Sequence, residues 1–236
     1  MRIAMGLLCV VVAAACDRLP GRPRAADRPV RPSAVTDFAT LYGENCAGCH
    51  GDDARPGAAV ALADPLYLAL VDDATLRRII ANGVANTAMP GFARDAGGGL
   101  TDGQVDVIVR GVRSRWGRPD ALAGATPPPY AAPAGDSGRG HSAYAARCAS
   151  CHGADGAGGQ HGGSVVDGSY LALVSDQSLR TTLLVGRPAR GMPDWRGAKG
   201  ASPMTAQEIG DVVAWLASQR PALPGQPYPT TERTGG

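Results

Sequence analysis

Large aromatic side chains are scarce in this chain of 236 residues: phenylalanine occurs twice, tryptophan three times, and aromatics make up 5% in all. A small domain with so few bulky groups has trouble building a stable core from its own side chains. Apolar volume has to come from elsewhere. Lysine is rarer still, Lys199 standing alone among arginines. The formal net charge is only +2, which gives no reason to expect nucleic acid as a partner. The apolar run from Ile3 to Val12 is too short to span a bilayer. No alternation of the kind that marks strands competes with the helical patterning.

Cysteine is limited to six. Four fall in two boxes, Cys46-Ala-Gly-Cys49-His50 and Cys148-Ala-Ser-Cys151-His152. Cys9 lies within a leader at residues 1–15, which leaves Cys16 single, so no pair remains for a structural disulfide and no thiolate for a nucleophile. Each box is a C-x-x-C-H sequence, the attachment pattern of c-type haem. Two thiols at this spacing can form thioethers to one haem, and the adjacent histidine then sits beneath the iron. One box could arise by chance or be half of a zinc site. Two boxes, each followed by a Met-Pro at matching distance, predict two covalently attached haem c groups. Those groups would supply the apolar volume that the side chains lack.

Residues 1–15 read as an export signal. Arg2 supplies a positive start, and Ala13-Ala14-Ala15 precede Cys16 with the small residues a peptidase needs. The pattern resembles a lipoprotein signal, in which Cys16 is lipidated and anchors the mature chain. Ala13 departs from the usual Leu at its position, and simple cleavage after Ala15 is the alternative. Export fits the haem boxes, because c-type attachment occurs outside the cytoplasm; a periplasmic or outer-face location is expected. Residues 16–34 hold Pro20, Pro23, Pro29 and Pro32 among five arginines. They read as an extended tether, its arginines resting on anionic headgroups or simply solvated.

The chain repeats itself once. Tyr42 and Tyr144 each stand four residues before the first cysteine of a box. Tyr67-Leu-Ala-Leu-Val71 returns as Tyr170-Leu-Ala-Leu-Val174, Leu76-Arg77 as Leu179-Arg180, and Met89-Pro90 as Met192-Pro193. Between the copies, residues 118–139 are rich in Pro, Gly and Ala and read as a linker. Two domains in tandem are expected, at 35–117 and 140–220, with a Pro/Gly-rich tail at 221–236. In each, a first helix (about Val35 to Ala47, or Ser142 to Ser150) ends on the haem box. Asp73 or Ser175 caps a middle helix, and Thr101 or Thr205 opens a last one. Val105, Ile108, Val109 and Val112 share one face of that last helix, and Ile209, Val212, Val213 and Leu216 do so in the second copy.

Each half resembles a class I c-type cytochrome: an aromatic before C-x-x-C-H, a loop with Met-Pro, then a terminal helix crossing the first. The resemblance implies an all-α fold in two tandem domains, each wrapped around one haem. It also implies His50 and Met89 as axial ligands of one iron, and His152 and Met192 of the other. Methionine is a soft ligand that favours ferrous iron and raises the potential. His141 and His161 are the rival ligands. In that family a glycine on the first helix meets an aromatic on the last. Gly140 and Trp215 fit. In the first domain Phe38 and Gly111 stand in the opposite places, which reads as a volume swap across the crossing. Trp195 and Phe92 are expected to wall the haems, with the Trp195 nitrogen donating to a propionate. Arg55, Arg94 and Arg196 are further propionate candidates.

Six-coordinate irons leave no open site, so no catalytic residue and no small-molecule substrate are expected. The reading is a lipid-anchored carrier moving single electrons between redox protein partners, as one subunit of a membrane electron-transport complex. A dihaem peroxidase, or a redox or gas sensor, is the alternative if one iron lacks its methionine. Residues 37–116 hold ten acids and seven bases, and residues 141–220 six acids and seven bases. A basic partner is therefore expected at the first domain.

Overall fold

The computed structural model describes residues 29–55, 61–85, 87–198 and 200–222. The leader, Cys16 and the tail beyond residue 222 lie outside the described residues. A short 3-10 turn at Pro32–Ala34 belongs to an N-terminal unit ending at Val35, and a second unit begins at Thr36.

The second unit is helical, and its elements come in two matching sets. The first set is α1 Phe38–Asn45, α2 Ala47–His50, α3 Pro65–Leu70, α4 Asp73–Asn82 and α5 Asp102–Trp116. The second is α6 Ser137–Arg147, α7 Ala149–His152, α8 Gly168–Leu173, α9 Asp176–Val185 and α10 Ala206–Ser218. Among the described residues the β pairing consists of isolated bridges, Ala93 with Leu100 and Arg187 with Met192. All eight apolar positions expected on the last helices are buried. Both of those helices open on a capping box: Thr101 with Gln104, and Thr205 with Glu208.

Other boundaries differ from expectation. The first helix of each domain breaks at the first box cysteine, Cys46 or Cys148, and a separate turn of helix carries the histidine. Helix α6 starts at Ser137 rather than near Ser142, because Asp136 accepts from the Arg139 N–H and caps it there. Asp72, not Asp73, caps α4 by accepting from Thr75 N. Asp73 instead pairs with Arg113 at 2.5 Å.

The first and last helices of each domain meet at a glycine. A Cβ on Gly140 would lie 2.0 Å from the backbone oxygen of Asp211 and 2.7 Å from Trp215 Cβ. A Cβ on Gly111 would lie 2.0 Å from Phe38 Cδ2. The crossing therefore pairs a small residue with a large one in both domains, with the sides exchanged. The Phe38 ring also meets Tyr42 and Trp116, while Trp215 stacks with Tyr144 at 4.3 Å and His141 at 5.5 Å.

At the second crossing Asp211 is buried, its side chain 4% exposed, where Arg139 donates from Nε at 2.8 Å and from Nη2 at 2.9 Å. The Asp136 N–H and Gln207 Nε2 also donate to it. The Arg139 guanidinium leads these donors in holding the carboxyl down at about 2. An unfolded aspartate titrates near ~3.9, so this stabilisation is fully present above that value and is lost as pH falls towards 2. Asp211→Asn should therefore lower stability at pH 7, by on the order of 2 kcal/mol. In thermal melts run from pH 7 to pH 2, the gap between variant and parent should close below about pH 3. A gap independent of pH would contradict the ionic role.

Two arginines at equivalent places in the repeat have different partners. Arg77 on α4 pairs with Asp102 and Asp106 of α5, both at 2.8 Å. In the second domain the positions matching Asp102 and Asp106 hold Ala206 and Gly210, which offer Arg180 on α9 no carboxylate. Arg180 is 4% exposed and donates to backbone oxygens of the linker, Pro129 at 2.7 Å and Tyr130 at 3.0 Å. Gln177 donates to the same Tyr130 oxygen. The Tyr130 ring reaches the other domain and meets Tyr67 edge-on, at 6.3 Å. One linker residue thus ties α3 of the first domain to α9 of the second.

Candidate functional site

Both C-x-x-C-H boxes are built alike. Tyr42 Oη donates to the Gly51 carbonyl at 2.8 Å, and Tyr144 Oη to the Gly153 carbonyl at 2.7 Å. Each tyrosine thereby fastens the residue after the histidine to the first helix. Those glycines take positive φ, +80° and +82°, which turns the chain out of the box. Burial pushes the Tyr42 hydroxyl up to about 12 and also raises Tyr144, so both stay donors at physiological pH.

The four box cysteines are free of disulfides, Cys46 and Cys148 half-buried, Cys49 and Cys151 exposed. Burial pushes the Cys46 and Cys148 thiols up to about 11. His50 is buried at 6%. His152 Nδ1 lies 2.8 Å from the Gly163 carbonyl oxygen. A carbonyl only accepts, so Nδ1 carries the proton and Nε2 keeps its lone pair for a metal. Gly162 packs against that ring: a Cβ there would come within 2.7 Å of Nδ1.

The methionines are also presented alike. Gly83 ends α4 and Gly186 ends α9, each with positive φ. A Cβ on Gly83 would strike Met89 and Pro90 backbone, and one on Gly186 would strike Pro193 and Asp194 backbone, all within 2.7 Å. The chain then returns to the core. Phe92 N donates to Ile80 and Trp195 N to Leu184, and Met204 N donates to Trp195. Met89 and Met192 are half-buried on these returning segments.

The Trp195 ring is 4% exposed, and its Nε1–H is buried without a hydrogen-bond partner. Buried donors are almost always satisfied. This one fits the propionate of a haem, and it is the local sign that the site is shaped for a polar group the protein does not supply. The chemistry of the donors fits as well: paired thiols, an imidazole and a thioether in each half, with the tautomer of His152 fixed by the Gly163 carbonyl. Arg196 is held by Asp194 at 2.6 Å, while Arg55 and Arg94 are exposed. His141 lies over Trp215, and His161 is exposed in the glycine loop.

One pair of residues gave no signal in the repeat. Arg113 donates to the carbonyls of Leu68 and Val71, and Arg220 to those of Leu171 and Val174. These are matching carbonyls at the ends of α3 and α8, and each arginine also pairs with the next helix's first acid, Asp73 or Asp176. The arginines themselves are not equivalent in the repeat. They reach the same place from different turns, so alignment misses them.

No curated protein matches the chain. A chain of the reducing HAO-like protein complex of Kuenenia stuttgartiensis is similar at 17% identity and a TM-score of 0.42, over 82% of this chain and all of that one. The family model for cytochrome c oxidase, cbb3-type, subunit III matches twice, over residues 33–110 and 135–216. Each match spans one haem box and one Met-Pro. The chain thus belongs to this family of c-type cytochromes and carries two covalently attached haem c groups, one in each of two tandem cytochrome c domains.

Proposed function

We propose that this protein is a lipid-anchored dihaem cytochrome that passes single electrons between protein partners in a respiratory or related complex. The observation that carries this reading is the duplicated methionine segment, presented in both domains by a glycine-capped helix six residues before it. His50 and Met89 would hold one iron, His152 and Met192 the other. Each haem, when bound, supplies reversible one-electron chemistry. The Gly163 carbonyl orients the His152 imidazole, Phe92 in the first domain and Trp195 in the second would wall the haem, and a histidine with a methionine on each iron would leave no ligand position for substrate. Cys16 is the anchor in this reading, and residues 16–34 the tether. Among the described residues no helix is long and apolar enough to cross a membrane.

An optical redox titration of the holoprotein, from the far red to the Soret, tests the assignment. Two low-spin haems with the weak far-red sulfur-to-iron band, both at positive potential, are expected. A high-spin component or one strongly negative potential would sink it and favour a peroxidase or a sensor.

The charge difference between domains adds a second expectation. The first domain carries three more acids than bases over residues 37–116, and the second one more base than acids over 141–220. Propionates make both more negative. A basic redox partner should dock at the first domain, with a second-order rate that falls as salt screens the attraction. Stopped-flow electron exchange at rising ionic strength measures it, and a rate independent of salt rejects it.

A further inference from the structure

The repeat has an open face in one copy that is closed in the other. In the first domain, Tyr67 and Val71 are 3% and 2% exposed; the Tyr130 ring of the linker meets Tyr67, and α9 packs beside their helix. Their repeat mates Tyr170 and Val174 are only half-buried, and Leu173 is 70% exposed. Beside them is a groove of about 400 Å³, lined by Leu171, Val174, Asp176, Arg220 and Pro221. This helix face thus lacks the cover that the Tyr130 ring gives its twin in the first domain.

The sequence after the second domain repeats the sequence that closes the first. The linker runs Arg118-Pro119-Asp-Ala-Leu122-Ala-Gly124, then Pro129-Tyr130. The tail runs Arg220-Pro221-Ala-Leu223-Pro-Gly225, then Pro227-Tyr228. Arg-Pro, Leu-x-Gly and Pro-Tyr recur in order, so the repeat extends past the domain into its trailing segment. Placement agrees as well. Pro221 lies 3.7 Å from where a Cβ on Gly168 would be, so the chain leaves the domain two residues' distance from Tyr170. The stretch from Arg220 to Tyr228 spans about 26 Å when extended, ample to cross a six-residue helix.

We propose that the C-terminal tail closes the α8 face of the second domain, with Tyr228 seated on Tyr170 as Tyr130 is seated on Tyr67. Pro-rich sequence suits the task, because a stiff, extended segment loses little entropy when it is laid along a groove. The proposal stands apart from the electron-transfer reading, since it uses no haem ligand.

Amide hydrogen exchange on the intact holoprotein tests it, compared with a chain ending at Ala222 and with Tyr228→Ala. Backbone amides of Gly168–Leu173 should exchange roughly tenfold faster in both variants, while those of Pro65–Leu70, covered by the linker, should not change. Haem content and spectra should stay as in the parent. Equal exchange in all three proteins overturns the proposal. So does protection that survives truncation and rises with protein concentration, which would assign the face to a second copy of the chain.

Discussion

Met192→His should lower the potential of the second haem on the order of 200 mV, a fraction of the roughly 0.8 V that axial ligands span. Imidazole is a harder and stronger donor than a thioether, so it favours ferric iron. The far-red sulfur-to-iron band should halve in the same variant, because one of two methionine ligands is gone. Met204→Leu is the control. Met204 packs against the core cluster around Tyr144, Leu171 and Trp215, and its loss should leave both potentials in place. A drop in Met204→Leu, or no drop in Met192→His, would move the ligand away from the Met-Pro segment.

Gly140→Ala should destabilise the protein by about 3 kcal/mol or more, at the upper end of what overpacking costs. Its new Cβ would meet a backbone oxygen at 2.0 Å, and backbone cannot step aside without parting α6 from α10. Gly111→Ala meets a phenyl ring instead, at the same 2.0 Å, and a ring can be trimmed. The two sites should therefore behave differently in double variants. Phe38→Ala should offset much of the Gly111→Ala loss, with a coupling of about 1 kcal/mol or more. Trp215→Ala should not rescue Gly140→Ala. Denaturant melts of the six variants and the parent decide it, and a rescue at Gly140 would show that side chains rather than backbone set the crossing.

What could be read from the sequence was whatever is local or duplicated. The boxes, the Met-Pro segments, the capping threonines and the apolar faces of α5 and α10 all sit at fixed spacing, and the repeat doubled each signal. The exchange of Phe38 and Gly111 was legible because volume must be conserved where helices touch. Boundaries were less so. The breaks at Cys46 and Cys148 come from box geometry, and the early start of α6 rests on the Asp136 cap within a run of glycine and serine. The arginine clamps were invisible. Arg113, Arg180 and Arg220 all donate to main-chain carbonyls, and a carbonyl leaves no trace in residue identity. Trp195 was flagged by resemblance, but that its nitrogen is orphaned emerged only from the packing around it.

Arg180 also determines where this protein can be cut. Its twin Arg77 is neutralised by acids of its own domain, so the first domain carries its countercharges with it. Burial lowers the pKa of Arg180, and it donates to the oxygens of Pro129 and Tyr130, which precede the first helix of the second domain. A fragment that begins at Ser137 would keep every haem-site residue of the second half and still strand a desolvated cation. One that begins at Pro127 would bring the acceptors along. In physical terms the second domain starts some ten residues before its first helix, and the segment named a linker by its composition is part of the module it precedes.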